Sequence, residues 1–278
     1  MGVGAVFQPW LQRWQLSADG DGLATPGSDL LPVRLPNGTA AMLKIARDHD
    51  ERAGAALMQW WNGVGAARVF ELEGDALLME RAQGRRSLMA MALQGQDDAA
   101  SRIACDVVAH LHVRREAPWP RDMVPLQHWF EALRTAAARD GGMFASALAV
   151  ADDLLATAEP ARPLHGDIHH DNVLDFGERG WLAIDAKYIV GDRGYDYANL
   201  LCNPELRTVT EPARFSRQVD VIAAASGLSP ERLLRWTLAY AGLSAAWFLE
   251  DGDTASADSD LTVASLAGAA LGWQSQPA

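Results

Sequence analysis

Cysteine is nearly absent from this chain of 278 residues, with only Cys105 and Cys202, far apart in sequence. Two thiols so placed make neither a disulfide framework nor a metal-ligand spacing, so a reducing, cytoplasmic setting is expected. Basic residues are scarce too. Lys and Arg number 24 against 36 Asp and Glu, a net charge of −12. That sign disfavours nucleic acid and anionic lipid as partners and favours a neutral or cationic ligand. Met1–Trp10 lacks the basic, apolar character of a leader, and Gly2 has no Ser or Thr at position 6 for myristoylation. No long hydrophobic run exists. The longest uncharged stretch, Leu261–Ala278, is broken by Thr262, Ser265, Gly268 and Gly272 and reads as a docked terminal helix, so no membrane span is expected.

What is present is an ordinary globular composition, 49% hydrophobic and 22% charged, without repeats or low-complexity linkers. The first third is strand-like. Leu30–Leu35 and Ala40–Ala46 flank Pro36-Asn37-Gly38, a hairpin signal because Asn-Gly tolerates positive φ. A helix follows over Asp48–Trp61, with Asp48 and Glu51 spaced as a capping box. Arg68–Leu72 and Ala76–Glu80 then surround the turn Glu73-Gly74-Asp75. From Ser87 the apolar period changes to 3.6, and helices are expected over Asp97–Val113, Pro125–Arg139, Met143–Ala158, Pro212–Ala225 and Pro230–Glu250. One small hairpin interrupts them, with Asn172–Leu174 and Trp181–Ile184 around Gly177–Gly180. The pattern predicts an α+β molecule of two lobes, 1–82 mainly antiparallel β with one helix and 83–278 mainly helical, meeting at Arg81–Arg86.

The densest cluster of reactive side chains is His165-Gly166-Asp167-Ile168-His169-His170-Asp171-Asn172, followed by Ile184-Asp185 at the end of that hairpin. Phosphoryl transfer to a hydroxyl needs one carboxylate to orient the hydroxyl proton, and an amide and a second carboxylate to hold Mg²⁺ on a triphosphate. Asp167, Asn172 and Asp185 suit those three roles as catalytic residues, the last two as metal ligands. The five-residue step from Asp167 to Asn172 equals the Asp-to-Asn spacing of a kinase catalytic loop.

These residues resemble the aminoglycoside phosphotransferase branch of the protein-kinase-like fold, with its His-Gly-Asp-x-x-x-x-Asn loop and later Ile-Asp. The run His165–Asp185, Asp196-Tyr197-Ala198-Asn199, Ala41–Lys44 and Trp60–Arg68 look like the streptomycin 6-phosphotransferase and hydroxyurea-resistance kinase group. The similarity fades beyond about residue 205. It implies ATP and Mg²⁺ as cofactors and a small-molecule hydroxyl as acceptor, a cationic aminoglycoside such as streptomycin first. A monomer is expected.

The resemblance gives further residues their roles. Lys44 corresponds to the lysine that bridges the α- and β-phosphates, a task suited to a point charge. Glu51 is the carboxylate expected to hold it, with Glu71 and Glu73 as rivals. Glu80 and Ala82, ending the last strand of the first lobe, would offer main-chain groups to adenine. His165 and Asp196 would position the catalytic loop. His169 and Asp171 are candidate substrate contacts, and Trp247 with Glu250, Asp251 and Asp253 is a further candidate or a solvated helix end. A phosphate-covering loop of GxGxxG form is missing; Ser17–Gly22 comes nearest and reads as a plain turn.

Other classes fit less well. A metal-dependent hydrolase could use His165, Asp167, His169 and His170, but no histidine follows residue 170. An inactive kinase-like binding module would have lost one of Lys44, Asp167, Asn172 and Asp185, and all four are present. A protein kinase needs a longer activation segment than Tyr188–Tyr195 and an Ala-Pro-Glu, which is absent. A kinase of an unidentified metabolite hydroxyl remains the alternative within the class.

Overall fold

The computed structural model describes residues 3–273. Helix α1 (Val3–Arg13) precedes strands β1 (Ser17–Ala18), β2 (Leu23–Ala24), β3 (Ser28–Arg34) and β4 (Ala40–Ala46). Helix α2 (His49–Trp61) and strands β5 (Val69–Glu73) and β6 (Ala76–Glu80) complete the first part. The strands form one antiparallel sheet in the order β1-β3-β4-β6-β5, with β2 paired to β3. Both expected hairpins are formed, the first with Ala40 opposite Arg34 and Ala46 opposite Ser28. On one face, Leu31, Val33 and Leu43 are buried against Phe7 of α1. That helix was not expected, although Trp10 and Trp14, four residues apart, lie with ring centroids 4.8 Å apart on it and just beyond it.

The helical part contains α3 (Asp97–Leu111), β7 (Val124–Pro125), α4 (Glu131–Asp140), α5 (Gly142–Ala156), β8 (Arg162–Leu164), β9 (Val173–Asp175), β10 (Trp181–Ala183) and β11 (Ile189–Gly191). It ends with α6 (Gly194–Ala198), α7 (Pro212–Ser226), α8 (Pro230–Glu250) and α9 (Thr254–Ala270), besides short helical turns. Helix α8 is the axis of this part. Thirteen consecutive-to-near positions from Leu233 to Ala246 are buried, so it is covered on all sides rather than along one stripe.

Three expectations need correction. The helix predicted over Pro125–Arg139 is broken: Leu126–Trp129 is a single turn, and Phe130 leaves helical geometry while its side chain becomes fully buried. The terminal helix starts at Thr254, not Leu261, because Asp253 caps it by accepting from the Ser256 N–H. Residues 274–278 of the stretch first read as helix lie outside the described residues. A second small sheet, β7-β11-β8, was missed, since strands of two and three residues carry no legible period.

The hairpin β9–β10 forms as expected, with Leu174 opposite Leu182. Its second strand also meets the first part of the chain, where Ala67 N–H donates to Ala183 O and Ala183 N–H to Gly65 O, each at 2.9 Å. The main core draws Leu57, Met58, Trp61, Ala66 and Ala67 into the same cluster as the helical residues. A division after Ala82, as we propose, therefore separates lobes that share a core. At that junction Gly84 is required. A β-carbon there would lie 2.0 Å from Cγ of Asp175, whose carboxylate Arg86 grips through Nε at 2.8 Å and a terminal nitrogen at 2.9 Å.

Candidate active site

The small sheet explains how the reactive loop is held. Strand β8 leads into His165 and β11 leaves two residues after Lys187, with Leu164 paired to Ile189. Between them the loop is tied to Asp196 at the start of α6. Its carboxylate accepts from His165 N–H at 2.9 Å, Gly166 N–H at 2.8 Å and His112 Nε2 at 2.8 Å. Burial pushes this carboxyl up, and the His112 hydrogen bond and nearby positive charge more than offset it, so the group stays below the usual carboxylate range. Asp196 is thus a positioning residue. His165 is another: fully buried, it is held below the ordinary histidine pKa by burial. Its Nδ1 accepts from Asp167 N–H, which fixes Nε2 as the donor to Ile184 O at 2.7 Å. The ring stacks on Trp61 of α2, with centroids 6.1 Å apart and planes 12° from parallel.

Asp167 and Asn172 come together as their spacing suggested. Asn172 Nδ2 donates to the Asp167 carbonyl at 2.9 Å and to its Oδ2 at 3.3 Å. Asn199 Nδ2 donates to the other oxygen, Oδ1, at 3.1 Å, and is itself braced by Asn203 Nδ2 at 2.8 Å. Neither Asn199 nor Asn203 was singled out in the sequence; the Asp196-Tyr197-Ala198-Asn199 pattern was the available signal for the first.

Opposite this loop, Lys44 on β4 is buried and paired through Nζ with both Glu51 and Asp185. Of the rival carboxylates, Glu71 is exposed and Glu73 pairs with Arg13 at 2.6 Å. Glu51 answers both readings of its position. Its N–H completes half of the capping box by donating to Asp48 Oδ1 at 2.9 Å, while its side chain turns to Lys44. Asp185 has φ +68°, a left-handed conformation costly for a residue with a β-carbon. Burial pushes its carboxyl up, and Lys44 and Lys187 outweigh that to hold it below the usual range. Lys187 was missed. Its Nζ stands 3.7 Å from Glu51, 3.7 Å from Asp185 and 3.9 Å from Asp167, and these acids outweigh burial to raise its pKa.

Lys44, Glu51 and Asp185 line one end of a cavity of about 500 Å³ between the two parts of the chain. Its other end is apolar, with Leu30 and Met42 from the sheet and Leu174, Phe176 and Ile184 from the loop and hairpin. Glu80 and Ala82 both lie on its edge. The Glu80 N–H is already spent on Arg68 O at 2.8 Å and its carboxylate meets Arg179 at 3.4 Å. The turn Thr25–Ser28, not Ser17–Gly22, closes the charged end. Asp19 in the latter run instead pairs with Arg81 and Arg34.

The remaining candidates divide. His169 reaches within 3.9 Å of Asp167, and Asp171 is exposed beside it with its N–H on His169 Nδ1 at 3.3 Å. His170 is buried away from the cleft near Arg214 and Asp97. Trp247 packs edge-on against Trp129, and Asp253 is a helix cap. The three loop histidines therefore do not converge, and among the described residues no group of three or more His, Cys, Asp or Glu could hold a metal ion by itself. The donors that do face the cavity, Asp185 and Asn172, suit a hard cation that completes its shell with phosphate oxygens and water. With Asn172 Nδ2 turned to Asp167, its Oδ1 is left for that purpose.

A family model described as "Aminoglycoside/hydroxyurea antibiotic resistance kinase" matches residues 13–252. A streptomycin 3''-kinase of Klebsiella pneumoniae is 50% identical over 247 residues, covering 87% of this chain and 92% of the relative. A streptomycin 6-kinase of Streptomyces glaucescens is 30% identical, covering 94% and 87%. A hydroxyurea phosphotransferase of Kitasatospora aureofaciens is 31% identical, covering 92% and 76%. Among solved structures, a thermostable mutant of aminoglycoside phosphotransferase APH(4)-Ia in ternary complex with AMP-PNP and hygromycin B aligns with a TM-score of 0.62 at 15% identity, covering 95% and 97%. A choline kinase from Cryptosporidium parvum Iowa II aligns at 0.63 and 12%, covering 96% of each chain. At those identities the likeness is one of fold: an α+β, protein-kinase-like architecture of two lobes.

Proposed function

Since the chain belongs to the aminoglycoside/hydroxyurea antibiotic resistance kinase family, we propose that it transfers the γ-phosphoryl group of ATP to a hydroxyl of streptomycin. The observation that carries the reading is the meeting of Lys44, Glu51, Asp185 and Asn172 at the charged end of a largely apolar cavity, with Asp167 hydrogen-bonded to Asn172 beside it. Apolar side chains above and below suit a purine, and the lysine end suits its phosphates.

Lys44, held from both sides, would bind the α- and β-phosphates. Glu51 keeps its ammonium in place. Asn172 and Asp185 would hold Mg²⁺, which supplies charge neutralisation on the phosphate oxygens. Asp167 would accept a hydrogen bond from the acceptor hydroxyl and orient it in line with the γ-phosphorus, taking its proton as the new P–O bond forms. Asn199 and Asn172 fix the two carboxylate oxygens for that task. Lys187 adds positive charge beside the same carboxylate, where negative charge develops on the transferred group. Ala82 would meet the adenine edge through its main chain; Glu80, with its N–H already engaged, has only its carbonyl for that purpose.

For the position phosphorylated we choose the 3'' hydroxyl, which the 50% identical 3''-kinase supports, over the 6-hydroxyl expected from the motif resemblance and borne by the 30% identical 6-kinases. The test incubates the chain with ATP, Mg²⁺ and streptomycin and follows product by mass and by NMR, with Asp167→Asn as blank. The expected product is heavier by one phosphate, on the 3'' hydroxyl, and is lost by about 10²-fold or more in the variant. A 6-phosphate would correct the position. No product with streptomycin would overturn the substrate, and a panel of other small hydroxyl compounds would then identify the metabolite kinase alternative.

A further inference from the structure

Along the chain that leads into the catalytic loop, and sharing no lining residue with the cleft, lies a second cavity of about 580 Å³. In a chain of net charge −12 its wall is basic: Arg114, Arg115 and Arg162 line it, against one carboxylate, Glu116. Among the described residues none of the three arginines pairs with a carboxylate. Arg115 is spread over main-chain carbonyls, including Leu111 O at 2.7 Å, and lies over the Trp60 ring, 4.9 Å from its centroid. Burial lowers its pKa with no acid to compensate. Three buried nitrogens of this wall have no hydrogen-bond partner: Trp60 Nε1, Arg162 Nε and His112 Nδ1. The His112 side chain is only 4% exposed, and its other nitrogen is the one bound to Asp196.

Unpaired buried donors are costly, and Trp60 Nε1 and Arg162 Nε can only donate, so the partner that relieves both is an oxyanion. We propose that this cavity binds a small oxyanion, phosphate or carboxylate, and that its presence is transmitted through the His112 ring to Asp196 and the main chain of His165 and Gly166. The guanidinium groups supply charge, and the Trp60 and Arg162 N–H groups supply direction. The apolar part of the wall, Trp119 and Pro118 among it, suits a ligand with a small carbon skeleton.

The test is ¹⁵N NMR on the full chain, titrated at constant ionic strength with inorganic phosphate in one arm and citrate in another. The Trp60 indole N–H, assigned with Trp60→Phe, reports the site, and the Gly166 amide reports the catalytic loop. A saturable shift of both in either arm is expected, with the stronger arm naming phosphate or carboxylate. Arg162→Gln is expected to weaken it at least about tenfold, the loss of one charged hydrogen bond, while Lys44→Gln, which removes a cation from the cleft, leaves it unchanged. A Trp60 indole that does not move, or that moves equally in Arg162→Gln, overturns the site. A Trp60 shift with Gly166 unmoved overturns the link to the loop.

Discussion

Asn199 donates from Nδ2 to Oδ1 of Asp167 at 3.1 Å, so the carboxylate assigned to the acceptor hydroxyl is steered by an amide thirty-two residues further along the chain. With Asn172 on the other oxygen, the carboxylate plane cannot turn freely. Asn199→Ala should lower kcat about 10- to 100-fold with KM for ATP little changed, because orientation is lost while the nucleotide contacts remain. Steady-state kinetics check it; an equal rise in KM for ATP would place the residue in nucleotide binding instead.

Glu51→Gln keeps the size of the side chain and removes the charge that holds Lys44. Lys44 then retains Asp185 as its sole close acid partner among the described residues. The ammonium is drawn toward Asp185, the carboxylate proposed to hold Mg²⁺. The expected outcome is a rise of about tenfold in the Mg²⁺ concentration for half-maximal rate, together with a lower kcat. An unchanged Mg²⁺ dependence would refute the role given to this pair.

Gly84→Ala should destabilise the fold. Its β-carbon would meet Asp175 Cγ at 2.0 Å, and that carboxylate is fixed by Arg86 and by the Gly177 N–H at 3.0 Å, so it has nowhere to move. Overpacking of this kind costs about 1–3 kcal/mol, or roughly 3–10 °C in melting temperature. Thermal denaturation measures it, and an unchanged midpoint would show that the lobe junction is looser than described.

Acid should weaken the fold through two histidines, against one opposing acid. His165 and His170 are buried and held below the ordinary value of 6.5, His170 at about 4. The unfolded chain therefore binds more protons than the fold as pH falls below 6.5, and stability declines by up to about 1.4 kcal/mol per unit for each group. Asp260 acts oppositely. Burial raises its carboxyl to about 7, so the fold holds a proton that the unfolded chain has released, and stability declines as pH rises toward 7. The net trend from pH 6.5 to 4 is loss of stability. In denaturant titrations His170→Leu should flatten that loss, and Asp260→Asn should steepen it.

Much of the site was legible because its chemistry is local. His165 to Asn172 is one short loop, and spacing alone brings Asp167 to Asn172. Strands β3 and β4 were readable from the turn between them, and they carry Lys44. The residues that escaped act over long separations. Lys187 and Asn199 converge on Asp167 only through the β7-β11-β8 sheet and helix α6, elements of two to five residues without a period. Thr25–Ser28 escaped because it lacks the glycine pattern of a phosphate loop. Helix α9 was read late because the longest uncharged stretch begins only after Asp258 and Asp260, and Asp260 is in fact buried within the helix.

Helix α2 touches the other lobe at a point where there is no room for a side chain. A β-carbon on Gly54 would lie 1.9 Å from the carbonyl oxygen of Ala186, the residue after Asp185. Here Glu51 on the helix and Asp185 on the facing loop flank that contact, so the two acids that grip Lys44 are set at their spacing by a position where only glycine fits. The pairing of one lysine with two acids thus depends on a residue that has no chemistry of its own, and a side chain at position 54 would loosen the charged cluster without touching any of its members.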